Sequence, residues 1–283
     1  MRFGISVPIF GDYASARTLA ELAREAERAG WDGFFVWDHV QFDPGAPLPF
    51  GDPWIALAAI AMTTERIRIG PMVTPLPRRR PWKVAREAVA LDHLSNGRLI
   101  LGVGLGYPPE GDFAAFGEVS DERIRAEKLD EALEIVAGLT SGEPFAFDGK
   151  HYRIEETTFL PKPVQPRIPI WVAGYWPNRR PFRRAARWDG VAPGSLNVTF
   201  DETMPAEELR EAIAYIHEYR EHSAPFDVAV GGSTPGDNPE RARYKLDPYA
   251  AAGATWWLED ISGFRAPFDE MRERVRQGPP GVG

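Results

Sequence analysis

Apolar strand segments and amphipathic helix segments alternate along the whole of this 283-residue chain, which leaves few folds open to it. Strands are expected at 2–7, 33–37, 67–73, 98–104, 168–173, 189–193, 226–231 and 254–259. Helices are expected at about 15–29, from 52, at 81–95, from 120, and near 177–188, 205–221, 239–252 and 267–277. Their ends are marked chemically: Asp52 precedes Pro53, Pro81 opens a helix, Ser120-Asp121-Glu122 caps another, and Gly30 and Asn96-Gly97 act as stops. Eight strand–helix units within roughly 250 residues predict an α/β fold, the (β/α)8 TIM barrel, as one domain over residues 1–283. A doubly wound open sheet is the alternative. One interruption falls between the fourth and fifth strands. There, residues 145–154 read as a short hairpin turning at Asp148-Gly149, followed by an extended stretch with Pro161, Pro163, Pro166 and Pro169.

Two of the strands, within residues 99–106 and 170–177, are apolar throughout and end in glycine. Such runs suit parallel strands covered on both faces, and glycine at their carboxyl ends lets a flat ligand approach the backbone. In a parallel barrel, ligands bind at that edge. A formal charge of −8 argues against nucleic acid as the main partner. The absence of cysteine removes disulfides and thiolate metal sites. No apolar run approaches the roughly 20 residues of a membrane span, and a strand begins at Arg2. The expectation is a cytoplasmic protein without a membrane anchor.

The strand ends themselves are poor in carboxylates and histidines and rich in glycine, proline and aromatic residues. No metal site can be assembled from them. A large, mostly uncharged organic cofactor suits such a rim. His39 is the one group there that exchanges a proton near neutrality, although Asp38-His39 also reads as a structural pair tying down a loop. Pro177 and Asn178 start a helix whose first turn carries Arg179 and Arg180, an arrangement that suits phosphate unless the arginines face solvent. Arg78-Arg79-Arg80 before Pro81 is a second basic patch, or else a solvated loop. Phe10, Phe42, Trp54, Tyr107 and Trp176 suggest an apolar rim for a hydrophobic or planar substrate.

Several strings together resemble the flavin-dependent luciferase-like monooxygenase superfamily: Asp38-His39, Gly70-Pro71-Met72-Val73-Thr74-Pro75, Leu91-Asp92-His93-Leu94-Ser95-Asn96-Gly97-Arg98 and Leu101-Gly102-Val103-Gly104. Phe113-Ala114-Ala115-Phe116-Gly117, Pro161-Lys162-Pro163-Val164-Gln165 and residues 168–174 extend the likeness over nearly the whole chain. The resemblance implies a barrel, usually dimeric, that binds reduced FMN or the deazaflavin coenzyme F420. It implies that the ring lies against Met72, Val73 and Thr74, where some members carry a non-prolyl cis peptide matching Met72-Val73. It further implies that Gly104, Leu105, Gly106 and Tyr107 flank the ring, that Gly174, Tyr175, Trp176 and Asn178 surround the phosphate, and that His39 stands beside the reactive edge. Luciferases have a phosphate-binding arginine where this chain has Leu105, which shifts that contact to Arg179. Some deazaflavin dehydrogenases have a catalytic glutamate after the fourth strand, and the nearest here is Glu110.

The function this implies is an FMN-dependent monooxygenase acting on a small organic substrate with O2, its flavin reduced by a separate reductase or NAD(P)H. The alternative is F420-dependent hydride transfer. A flavin-binding protein with a degraded active site is a reading of another class. A flavin-free barrel hydrolase or aldolase is a further one, and it would need a carboxylate pair, for which only Glu259-Asp260 offers itself.

Overall fold

The computed structural model describes residues 1–199 and 202–280. In chain order the elements are β1 (Arg2–Val7), α1 (Ala16–Arg28), β2 (Gly33–Val36), α2 (Pro53–Thr63), β3 (Arg68–Pro71), β4 (Thr74–Pro75), α3 (Pro81–Leu94), β5 (Leu101–Gly104), the single turn α4 (Pro109–Asp112) and α5 (Glu122–Thr140). There follow β6 (Phe145–Asp148), β7 (Arg153–Thr157), β8 (Ile170–Trp176), α6 (Arg179–Ala185), β9 (Gly190–Ser195), α7 (Ala206–Tyr219), β10 (Asp227–Gly232), α8 (Pro239–Ala252), β11 (Trp256–Asp260) and α9 (Phe268–Arg276).

Nine of these strands form one parallel sheet in the order β3-β2-β1-β11-β10-β9-β8-β5-β4. Its first and last members, β3 and β4, are two halves of one strand interrupted at Met72-Val73, where the peptide is cis. The sheet therefore closes on itself. Across the seam Ile69 N donates to Arg98 O (3.1 Å) and Ile100 N to Ile69 O (2.9 Å). Eight staves with helices outside make the (β/α)8 barrel.

Local chemistry sets the elements. Ser15 Oγ caps α1 and the Asp52 carboxylate caps α2, each accepting from the amide three residues on. At α5 the capping residue of the Ser120-Asp121-Glu122 string is Asp121. The hairpin loop spans residues 149–152 rather than turning at Asp148-Gly149. Asp148 pairs with Arg153, and the Glu131 carboxylate gathers the amides of Lys150, His151 and Tyr152. β8 also runs three residues past the expected end at Ala173, because β9 accompanies it as far as Trp176 opposite Ser195.

Phe35, Trp171 and Trp256 fill the barrel interior with ring centroids 5.3–6.0 Å apart, joined by Ile100, Ala229 and Leu258. Burying each ring is worth roughly 1.5–3 kcal/mol. Glycine makes room for them: a Cβ on Gly33 would stand 2.6 Å from the Phe35 ring, and one on Gly190 2.5 Å from Trp171.

Beneath the strands' amino ends, the motif residues hold one another. Buried Asp92 accepts from the Val164 and Gln165 amides and from Gln165 Nε2 (2.7–3.0 Å). Buried Arg98 donates to the carbonyls of Ala61, Thr64, Ile67 and Ser95. No helix among the described residues is long and apolar enough to cross a membrane.

Candidate active site

Strand side chains alternate, so the residues two and four beyond the interior layer face the barrel mouth. From β5, β8, β9 and β10 these are Gly104, Ala173, Ala192, Gly194 and Gly231. They leave a floor nearly bare of side chains. A Cβ on Gly231 would meet no described residue within 4 Å, and one on Gly104 would touch Val73 at 2.7 Å. Met72 borders the same floor, its Sδ 3.1 Å from where a Cβ of Gly102 would lie. Tyr175 covers Gly194 with its ring. That ring is 49% exposed yet lies in a concavity, where loss of solvation and then the nearby Tyr107 raise the pKa of its hydroxyl.

Across the mouth, the ends of β2 and β4 carry charge. His39 Nδ1 lies 3.1 Å from Asp112 Oδ2, and the other oxygen of that fully buried carboxylate accepts from the Val40 amide (2.7 Å). Because a carboxylate only accepts, Nδ1 holds the proton and Nε2 is the basic nitrogen. No described residue bonds to Nε2, and the imidazole, 15% exposed, rests against Phe42 and Trp37. Arg78 lies 2.8 Å from both Asp38 and Asp112, and Arg79 donates twice to Asp38. The Thr74 hydroxyl also donates to Asp38 (2.8 Å). Two carboxylates and two guanidinium groups thus cancel, the condition under which buried charge is tolerated. Phe10, Trp37, Phe42 and Phe264 wall this side with mutual ring contacts.

Several expected roles change place. Arg78 and Arg79 turn inward to Asp38, so only Arg80 of the basic run is exposed and the patch is neither a solvated loop nor free for an anion. Trp176 is buried against Phe182 and Tyr215 in the helix layer, away from the rim. Arg179 stacks over Trp176 and Tyr215 on that same outer side. Gly174 also faces outward, with Pro181 2.3 Å from where its Cβ would be, and the Asn178 amide is spent on Tyr175 O. Gly106 (φ +86°) backs onto Phe113 and Pro75, and Arg125 holds the Leu105 and Gly106 carbonyls. Tyr107 is exposed on the rim, and Glu110 is exposed at the start of α4.

Glu259 and Asp260 face opposite sides of β11 and form no catalytic pair. Glu259 is tied to Thr234, Trp257 and Arg265, while Asp260 faces the mouth, where burial raises its pKa. Asp112 and the inward turn of Arg78 escaped the sequence reading. The available signal was position: Asp112 immediately precedes the Phe113–Gly117 block.

Comparison with known proteins places this geometry. A family model described as luciferase-like monooxygenase matches residues 1–278. An uncharacterized protein of Mycobacterium tuberculosis is 32% identical over 285 residues, covering 90% of this chain and 89% of that protein. An F420-dependent glucose-6-phosphate dehydrogenase of Nakamurella multipartita is 32% identical over 182 residues, 59% of this chain and 51% of that protein. Among solved structures, an F420-dependent secondary alcohol dehydrogenase superposes with a TM-score of 0.80 at 16% identity, covering 100% and 99% of the two chains. Monooxygenase RslO1 from Streptomyces bottropensis superposes with a TM-score of 0.72 at 22% identity, covering 98% and 97%.

Proposed function

Because this chain belongs to the luciferase-like monooxygenase family, we propose that it is an oxidoreductase moving a hydride between a small organic alcohol or carbonyl compound and the deazaflavin F420. The observation that carries the reading is the His39–Asp112 pair facing a floor of glycine and alanine. The open space over Gly231 and the small residues beside it fit a flat ring system. Two relatives, 32% and 35% identical over 182 and 167 residues, carry the name F420-dependent glucose-6-phosphate dehydrogenase, which moves that cofactor ahead of the FMN favoured by the sequence reading.

Bound there, the cofactor supplies a carbon centre that accepts or returns two electrons as hydride. Met72, Val73, Gly104 and Tyr175 border the ring, and Leu105, Gly106 and Tyr107 form the loop beside it. His39 Nε2 takes the hydroxyl proton as the carbon–hydrogen bond of the alcohol breaks, leaving a carbonyl, and returns it in the reverse direction. Asp112 fixes the tautomer and stabilises the imidazolium. The aromatic wall keeps water from the reacting atoms.

Titration with F420 and separately with FMN, followed by quenching of ring fluorescence, tests the assignment. F420 is expected to bind, and His39→Gln to lower alcohol turnover by about 10²–10⁴-fold with cofactor affinity unchanged. Binding of FMN alone, with substrate-dependent oxygen consumption, would return the reading to a monooxygenase served by a flavin reductase or NAD(P)H.

The active form is a homodimer. α2 buries Trp54, Leu57 and Ile60 against the barrel yet leaves Ile55 and Met62, two turns apart on one stripe, 65% and 70% exposed. A second copy covers that stripe, and Ile55→Asp together with Met62→Lys is expected to yield monomers in light scattering.

A further inference from the structure

The geometry points to an anion-binding site, separate from the mouth's floor, that takes a phosphate group between the loop after β10, the first turns of α8 and the loop after β11. A cavity of about 440 Å³ lies there, lined by Ser233, Thr234, Arg241, Tyr244, Lys245 and Arg265. Among the described residues no carboxylate lines it, in a protein whose formal charge is −8.

Three features leave the positive charge of this cluster uncompensated by the protein itself. Arg241 and Lys245 are four apart on one face of α8, a like-charge spacing that is unfavourable on its own. Arg241 also sits in the first helical turn, where a cation opposes the helix dipole. Lys245 is partly buried with no described partner for its ammonium; burial lowers its pKa, Arg265 and Arg241 add to the effect, and Glu259 opposes it. Glu259 cannot neutralise the group, because it already serves Arg265 at 2.6 Å and Arg274 at 3.3 Å.

Arg265 is held in place by Glu259 and by the Asp260 and Thr234 carbonyls, so its guanidinium is a fixed wall rather than a mobile surface charge. The Ser233 hydroxyl adds a neutral donor. Fixed cations and a hydroxyl around a small cavity match the oxygens of a phosphate group. The loops after the seventh and eighth staves are a recurrent phosphate position in such barrels. Asp237 and Glu240 are exposed nearby but do not line the cavity.

The test uses the whole protein and inorganic phosphate, followed by 31P line broadening at low ionic strength. Saturable binding is expected, weakened about tenfold or more by Lys245→Gln and by Arg241→Gln. Arg243→Gln removes the same charge from the same helix outside this cavity and is expected to change nothing. Equal weakening by all three variants, or no saturable binding by the unaltered protein, overturns the proposal. Neither result depends on which redox cofactor the mouth holds. Comparing F420 with its phosphate-free deazaflavin core identifies the source of the phosphate. If Lys245→Gln weakens F420 alone, the group is a cofactor's; if inorganic phosphate still binds to protein saturated with cofactor, it is a substrate's.

Discussion

From β1, β2, β4 and the loop after β11 the mouth receives large rings, a histidine and a set of paired buried charges, whereas β5, β8, β9 and β10 bring to it glycine, alanine and one tyrosine. The two sides tolerate different changes. On the charged side the groups are fixed by partners, so altering one strands another in low dielectric. On the bare side the useful property is absent volume, so chemistry matters little and size matters a great deal.

The largest expected effect lies on the charged side. Arg78→Met keeps most of the volume but leaves Asp38 and Asp112 short of a cation, and should cost about 3–5 kcal/mol in denaturant unfolding. Unchanged stability would mean that this side is not held by charge after all. A smaller effect, with the opposite signature, is expected from Gly231→Leu. The side chain enters open space, so stability should shift by no more than about 0.5 kcal/mol while cofactor affinity falls on the order of tenfold. Retained affinity there would show that the ligand does not use the bare floor.

The smallest effect belongs to a clasp outside both sides, which serves as their control. Glu25 on α1 is paired with Arg272 and Arg276 of α9, and the Arg272 hydrogen bond leads in holding its carboxyl at about 2. A folded-state pKa below the unfolded value gives stability that is present above pH 4.5 and lost as pH falls toward 2. Glu25→Gln should flatten that limb of the stability–pH curve and cost about 1 kcal/mol or less at neutrality, with cofactor affinity untouched.

The order of elements was legible because strand runs, caps and prolines are local signals. The family strings were legible too, but the strongest of them act far from the chemistry. Asp92 and Gln165 bind each other and Arg98 binds nearby carbonyls under the barrel, where they hold the chain's layers together. The side chains around His39 were harder to read because they come from separate segments. Asp112 arrives from a one-turn helix 73 residues later, and nothing local reveals that it meets His39. Direction along β8 was lost for a similar reason. A glycine at 174 resembles an ending, and only the pairing with β9 shows that the strand continues and turns Trp176 outward.

The rings of Phe35, Trp171 and Trp256 stop the barrel like a cork, so its opening is a blind well with one door. Two molecules that react inside must then queue. Whichever lies deeper has to arrive first and depart last, and steady-state kinetics should follow an ordered sequence in which the second arrival traps the first. A long substrate cannot thread through the protein; any length beyond the well has to trail over the rim.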